Sequence, residues 1–204
     1  FRCGGSRLYE NWLEGMLVIN EKHEFVLESD INFQVRVVDS PEEMEKFLAN
    51  KNAEGFKARI TAGYCWVWHD PNEDGTLPND VRIDNWSKPW NVKGDRGVGG
   101  YLSGELWAID PKGFDQIGCV YTVQGFEYDW NGVIIGPDLV WRKDRWIAVP
   151  EGTKDPAMRG LELSQYERLI KNTYKVLFTR GLVGTLIFSV DAETQQHLKQ
   201  LVSN

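Results

Sequence analysis

Two hydrophobic rhythms alternate along this chain, a helical spacing of three to four residues and short runs of β-branched residues, and their order predicts the elements. Behind Ser6, the residues Leu8, Trp12, Leu13 and Met16 fall on one helical face, with Ser6 placed near the helix start. Alternation from Phe33 to Asp39 predicts a strand. Ser40, Pro41, Glu42 and Glu43 then supply a cap, a proline at the first helical position and acids in the first turn. The helix they start carries Met44, Phe47 and Leu48 on its apolar side and ends between Asn52 and Gly55. Phe56 to Trp68 reads as a strand with an aromatic exit. The stretch from Ile117 to Leu139 predicts two strands, Cys119 to Thr122 and Val133 to Ile135, the second β-branched enough to be buried on both faces. Between them a short connection crowds Gln124, Gly125 and Glu127 together, as α/β domains do where they meet ligands. Glu162 to Phe178 is a helix on Leu163, Tyr166, Leu169, Ile170, Tyr174 and Leu177, with Gly181 suited to a left-handed cap. A buried strand from Gly184 to Val190 and a helix from Ala192 to Leu201 follow, with no internal repeat. Such alternation predicts an α/β fold with a mainly parallel sheet covered on both faces.

Two stretches break the rhythm. Residues 70–112 are rich in Gly, Pro, Asp, Asn and Trp, with strand-like pieces at Val81 to Ile83 and Leu106 to Ile109. That is too long for a plain loop and predicts an insertion packing Trp86, Trp90 and Trp107 against the body. Residues 141–160 are polar, bear Pro and Gly, and are expected to be mobile.

Composition narrows the classes. The 204 residues suffice for one domain with a sizeable core, and 42% apolar with 26% charged residues is ordinary for a globular protein. Three scattered cysteines argue against a disulfide framework and for a reducing compartment. No run approaches the ~20 apolar residues of a membrane helix, so the expectation is a cytoplasmic chain without membrane contact. A net charge of −7 gives no global attraction to nucleic acid, so any such binding must be local. Phe1 to Gly5 reads as the interior of something longer, and the chain is expected to be one domain, 1–204, of a larger protein.

Candidate chemistry concentrates in a few motifs. Thr122-Val-Gln-Gly-Phe-Glu127 followed by Val133-Ile-Ile135 resembles the superfamily 1 helicase motif that touches nucleic acid and nucleotide together. Asn172 to Arg180, a helix ending in Thr-Arg, resembles the last motif of those proteins, and Phe1-Arg2-Cys3 resembles the end of a motif with another nucleotide-facing arginine. Taken with Tyr9-x-x-Trp12-Leu13, Ala62-Gly-Tyr-Cys-Trp66-x-Trp68 and Gly118-Cys-Val120, the set resembles the helicase-type domain of the schlafen-related group and covers most of the chain in order.

The resemblance implies a three-layer, RecA-like α/β/α domain, the second of a motor whose first domain holds the phosphate-binding loop. Catalytic roles would fall to Arg180 and Arg2, nucleotide contacts to Gln124, Gly125 and Glu127, and nucleic-acid contacts to Thr122, with Trp66 and Trp68 offering faces on which bases stack. The implied cofactors are ATP and Mg2+, and the implied partners are that N-terminal phosphate-binding domain and DNA or RNA. No Gly-x-x-x-x-Gly-Lys-Ser/Thr segment exists here, so this chain alone is expected not to hydrolyse ATP.

Other readings stay open. Arg180 could simply cap helix carbonyls, Glu127 could be a solvated carboxylate, and Gly125 a turn needing positive φ. A non-catalytic RecA-like module that binds a partner or nucleic acid through the aromatic insertion is the alternative, and an enzyme with a carboxylate and metal cluster beneath Trp86 a third possibility. Cys65 with His69 lacks a second ligand pair for zinc, and Asp70 to Gly75 lacks the glutamate that completes a calcium loop, which favours a tight acidic turn.

Overall fold

A computed structural model describes residues 2–19, 23–28, 32–94 and 96–202, with only the backbone described at Arg2. From the N-terminus come α1 (Arg7–Met16), β1 (Gln34–Val37), α2 (Pro41–Ala53) and β2 (Ala58–Ala62). The Trp-rich stretch then folds as β3 (Val81–Ile83), β4 (Trp86–Lys88) and the short helix α3 (Gly104–Trp107). Next are α4 (Val120–Val123), β5 (Tyr128–Ile135), β6 (Leu139–Arg142) and β7 (Arg145–Ala148), and then α5 (Leu163–Phe178), β8 (Gly181–Ser189) and α6 (Ala192–Leu201).

The central sheet has the order β1-β8-β5-β2 and every pairing in it is parallel. β5 and β8 are its interior strands, which is why Val133, Ile134 and Ile135 in one and Leu186, Ile187 and Phe188 in the other are consecutive apolar residues. One face packs Val133, Ile135 and Ile187 against α1, α5 and α6 through Trp12, Tyr174 and Leu198. The other face packs Ile60, Ile134 and Leu186 against α2 and the insertion through Met44, Leu48 and Trp90. The result is the predicted three-layer α/β/α arrangement, a RecA-like fold.

Local signals account for three helix starts. The Ser6 hydroxyl accepts the Tyr9 N–H at 3.0 Å, Ser40 accepts that of Glu43 at 3.2 Å, and Asp191 accepts that of Thr194 at 2.9 Å. Trp86, Trp90 and Trp107 are all buried, as predicted for the insertion.

The structure corrects four local expectations. Leu106 to Ile109 is no strand: α3 and the turn after it seat Trp107 beneath Gly118, where a Cβ would run into the indole. The predicted strand at Cys119 to Thr122 is α4, because the parallel pairing to Thr61 involves Gly118 and the Thr122 hydroxyl then accepts the Cys119 N–H at 2.9 Å. On α1 the buried face includes Tyr9, with Leu8 left exposed, because the Tyr9 hydroxyl reaches the Phe178 carbonyl at 3.1 Å. Gly181 is the first residue of β8 and no left-handed cap, glycine being needed because a Cβ there would meet the Gly184 carbonyl. Beyond them the β6–β7 hairpin docks on α6, with Trp141 stacked on His197 at 3.6 Å and Arg142 bonded to both oxygens of Asp191.

Candidate site: a sheet edge and an aromatic cleft

Parallel pairing aligns the starts of β5 and β8, with Tyr128 opposite Gly181. The Gln124–Glu127 connection and Arg180 therefore arrive at the same edge of the sheet. The Arg2–Gly5 turn joins them there, its Gly4 lying against the Leu182 carbonyl near the start of β8. Backbone placement thus gathers Arg2, Gln124, Glu127 and Arg180 at one edge, while the Arg2 side chain lies outside what is described. Arg180 faces inward and is 3% exposed. Its Nε donates to the Val176 carbonyl at 2.9 Å, Nη1 to the Phe126 carbonyl at 3.3 Å, and Nη2 to the Thr179 hydroxyl at 3.1 Å. In this arrangement the guanidinium fastens the end of α5 to the 124–127 connection, which is the carbonyl-capping role. Glu127 and Gln124 are exposed, and Gly125 has φ of +87° with open space where a Cβ would project.

Beside this edge lies a cleft of about 800 Å³. Tyr64 and Trp68 enter it from the segment after β2, Lys93 and Glu105 from the insertion, and Tyr121, Thr122, Gln124 and Phe126 from α4 and the connection after it. The Tyr64 ring stands edge-on to Trp68 at 5.7 Å and to Tyr121 at 6.5 Å, so the rings form a corner, with Lys93 Nζ 5.8 Å over the Trp68 ring. Behind them, Trp90 is buried within 5.7 Å of Trp68 and keeps it upright. The polar groups differ in how far they are already engaged. Lys93 Nζ lies against the Trp68 carbonyl and 3.5 Å from Asp70, and the Thr122 hydroxyl is bonded within its own helix start. Glu105 and Gln124 make no hydrogen bond or ion pair to any described residue.

A strap between β7 and α5 shapes the cleft wall. The Tyr121 hydroxyl donates to the Asp155 carboxylate, 2.9 and 2.8 Å from its two oxygens, and Asp155 is 8% exposed. Burial first, and then that carboxylate, pushes the Tyr121 phenol well above its ordinary pKa, so the ring stays neutral. The Lys154 backbone N–H donates to the Tyr64 carbonyl at 2.7 Å, and the Thr153 hydroxyl donates to the same carbonyl at 3.3 Å. One strap thus fixes two residues whose rings form the cleft.

Deeper in, the Tyr174 hydroxyl of α5 donates to Asp138 Oδ1 at 2.6 Å and accepts the Gly136 N–H at 2.8 Å. Asp138 is fully buried, and burial holds its carboxyl above the ordinary range. Cys65 lies in the same node, its thiol likewise pushed up by burial, and Gly63 leaves room for the Tyr174 hydroxyl. The helix that leads to Arg180 therefore also anchors the segment that carries Tyr64 and Trp68.

Of the residues that the sequence nominated, Thr122, Gln124 and Trp68 share the cleft. Trp66 turns away: its Nε1 donates to the Arg82 carbonyl at 2.9 Å and its ring lines a separate cavity of about 300 Å³. Tyr64, Tyr121, Lys93, Glu105 and Asp155 were not nominated. Tyr64 sits inside the quoted aromatic motif and could have been, whereas Glu105 reaches the cleft, and Asp155 the Tyr121 that lines it, through folding of the two irregular stretches, which carry no periodic signal. His69 Nδ1 pairs with Asp80 at 2.7 Å, and Asp70 to Gly75 forms a tight turn in which Thr76 N–H donates to Asp74 at 2.9 Å. Among the described residues no three His, Cys, Asp or Glu side chains gather to hold a metal ion.

Fold and motif order together define a RecA-like domain of the helicase kind. The chain belongs to the family described as schlafen group 3, DNA/RNA helicase domain, whose model matches residues 1–191. It is similar to the uncharacterised protein YPL245W of Saccharomyces cerevisiae, with 23% identity over 176 residues. That match covers 82% of this chain and 37% of the relative, so the chain spans little more than a third of the relative's length. No solved structure matches the chain. Among the described residues no helix is long and apolar enough to cross a membrane.

Proposed function

We propose that this chain is the C-terminal motor domain of a nucleic-acid-dependent ATPase of the cytoplasm, gripping a single strand of DNA or RNA in the aromatic cleft. The observation that carries this reading is the meeting of Thr122, Gln124 and Trp68 in one cleft, whose α4 wall continues into the connection that Arg180 holds. Bases stack on aromatic faces for about 1–3 kcal/mol each without needing a particular sequence.

The residues described form no nucleotide cradle by themselves. The chain has no phosphate-binding loop, and its acidic side chains do not cluster as metal ligands among the described residues. ATP and Mg2+ belong, on this reading, to a partner domain of the same parent protein, where they supply the phosphoryl chemistry. This chain's part is to present the exposed Gln124, Gly125 and Glu127 to that nucleotide and to link them to the cleft. Arg180 acts through the connection it holds, since its guanidinium is buried.

That burial also favours a second reading, a RecA-like module that binds nucleic acid or a partner without turnover. The test is nucleic-acid-stimulated ATPase of the full-length parent protein. Stimulated turnover that falls in Gln124→Ala and Glu127→Gln, two exposed positions, supports the motor. A folded parent with no turnover, and a strand still bound through Trp68, supports the module.

A further inference from the structure

Resting on the reading of the cleft as a nucleic-acid site, we infer that it selects guanine, with Glu105 as the specificity-determining residue. The aromatic rings that line the cleft suit any base and cannot discriminate. Discrimination must come from polar groups with capacity to spare. Lys93 is engaged with the Trp68 carbonyl and Asp70, Thr122 with its own helix start, and the Tyr121 hydroxyl with Asp155. Glu105, Gln124 and the Tyr64 hydroxyl remain, all on residues lining the cleft, and Glu105 is the acidic one among them.

An ionised carboxylate only accepts hydrogen bonds. Guanine alone presents two adjacent donors on its pairing edge, N1–H and the N2 amino group, which match the two oxygens of Glu105 as a charge-assisted pair. Adenine sets its N1 lone pair against the carboxylate, cytosine does the same with N3, and uracil flanks its single N3–H with two carbonyl oxygens. In single strands these edges are open to a protein. The one lysine lining the cleft is already engaged, so the phosphates of the bound strand run outside, and the cleft holds the base.

The experiment is fluorescence anisotropy on the 204-residue chain with end-labelled single-stranded uridine heptamers whose central residue is guanosine, inosine or adenosine. The guanosine heptamer should bind roughly tenfold tighter than the adenosine one, the scale of one bidentate base contact, with inosine, which lacks the N2 amino group, between them. In Glu105→Gln, checked by its melting temperature for an intact fold, the guanosine and adenosine heptamers should come within twofold of each other. Equal affinities in the unaltered chain, or a preference that survives Glu105→Gln, overturn the inference. Trp68→Ala separates this from failure of the cleft reading: if it weakens all heptamers while guanosine and adenosine bind alike, only the guanine selection falls. If no heptamer binds, or Trp68→Ala changes nothing, the cleft reading falls and takes the inference with it.

Discussion

Arg180 and Glu105 are both charged residues beside the 120–127 segment, and they meet opposite surroundings. Arg180 is 3% exposed and bonded to the Val176 and Phe126 carbonyls, whereas Glu105 is exposed and bonded to no described residue. The aromatic residues divide in the same way. Trp12 and Trp107 are fully buried and donate to the Leu201 and Gln116 carbonyls, while Trp68 is half-buried and lines the cleft. A side chain whose polar atoms are already bonded holds structure together, and one with capacity left over can meet a ligand. Residue type and motif membership do not tell these two states apart.

The comparison can be broken hardest at Arg180. Arg180→Ala should destabilise the chain by about 3 kcal/mol, since it leaves buried carbonyls without their charged donor. For a chain of this size that corresponds to a fall in Tm on the order of 6–12 °C. A melting curve that does not move would mean that the guanidinium holds nothing, and would return Arg180 to the role of a nucleotide-facing arginine.

Tyr174→Phe tests whether α5 also anchors the cleft segment. Loss of the donor to Asp138, and of the acceptor for Gly136 N–H, should cost about 2 kcal/mol in urea unfolding. Tyr121→Phe removes the bonds to Asp155 and should cost about 1 kcal/mol. A loss at Tyr121 as large as that at Arg180 would erase the distinction between the framework and the cleft wall.

A pH dependence away from both regions supplies a separate test. Burial lowers the His197 pKa from 6.5 to about 4, although Glu24 lies 3.1 Å from its Nε2. The unfolded chain therefore binds the proton more readily, and stability is lost as pH falls from about 6.5 towards 4. His197→Gln should flatten that part of a plot of urea midpoint against pH. Asp138 has the opposite sign: its raised pKa makes it a source of stability at low pH that is lost as pH rises through the folded value. An acid limb unchanged in His197→Gln would assign it to other groups.

Much of the framework was legible before folding. The caps at Ser6 and Ser40, the apolar runs of β5 and β8, and the length of α6 follow from short-range rules that hold wherever the segment lies. The motif order placed Thr122, Gln124 and Arg180 on adjoining pieces of the chain's fold. The misread elements share a cause. α3 and α4 are four residues each, too short for periodicity to show, and a hydrogen bond to Thr122 and the seat of Trp107 decide them. The β6–β7 hairpin turns on Lys143 and Asp144, both at positive φ without glycine, so its turn carried no signal.

The sequence by itself determined the alternation of elements, the parallel sheet and the family, because these depend on local spacing and on motifs read in order. Only the tertiary structure decided which members of those motifs remain available to a ligand. Availability depends on neighbours far away in the chain: Arg180 is closed off by Phe126, Tyr121 is fixed by Asp155, and Glu105 is brought to Trp68 by an insertion with no regular pattern. Such contacts rest on burial and hydrogen bonding across the fold, which no window of sequence contains.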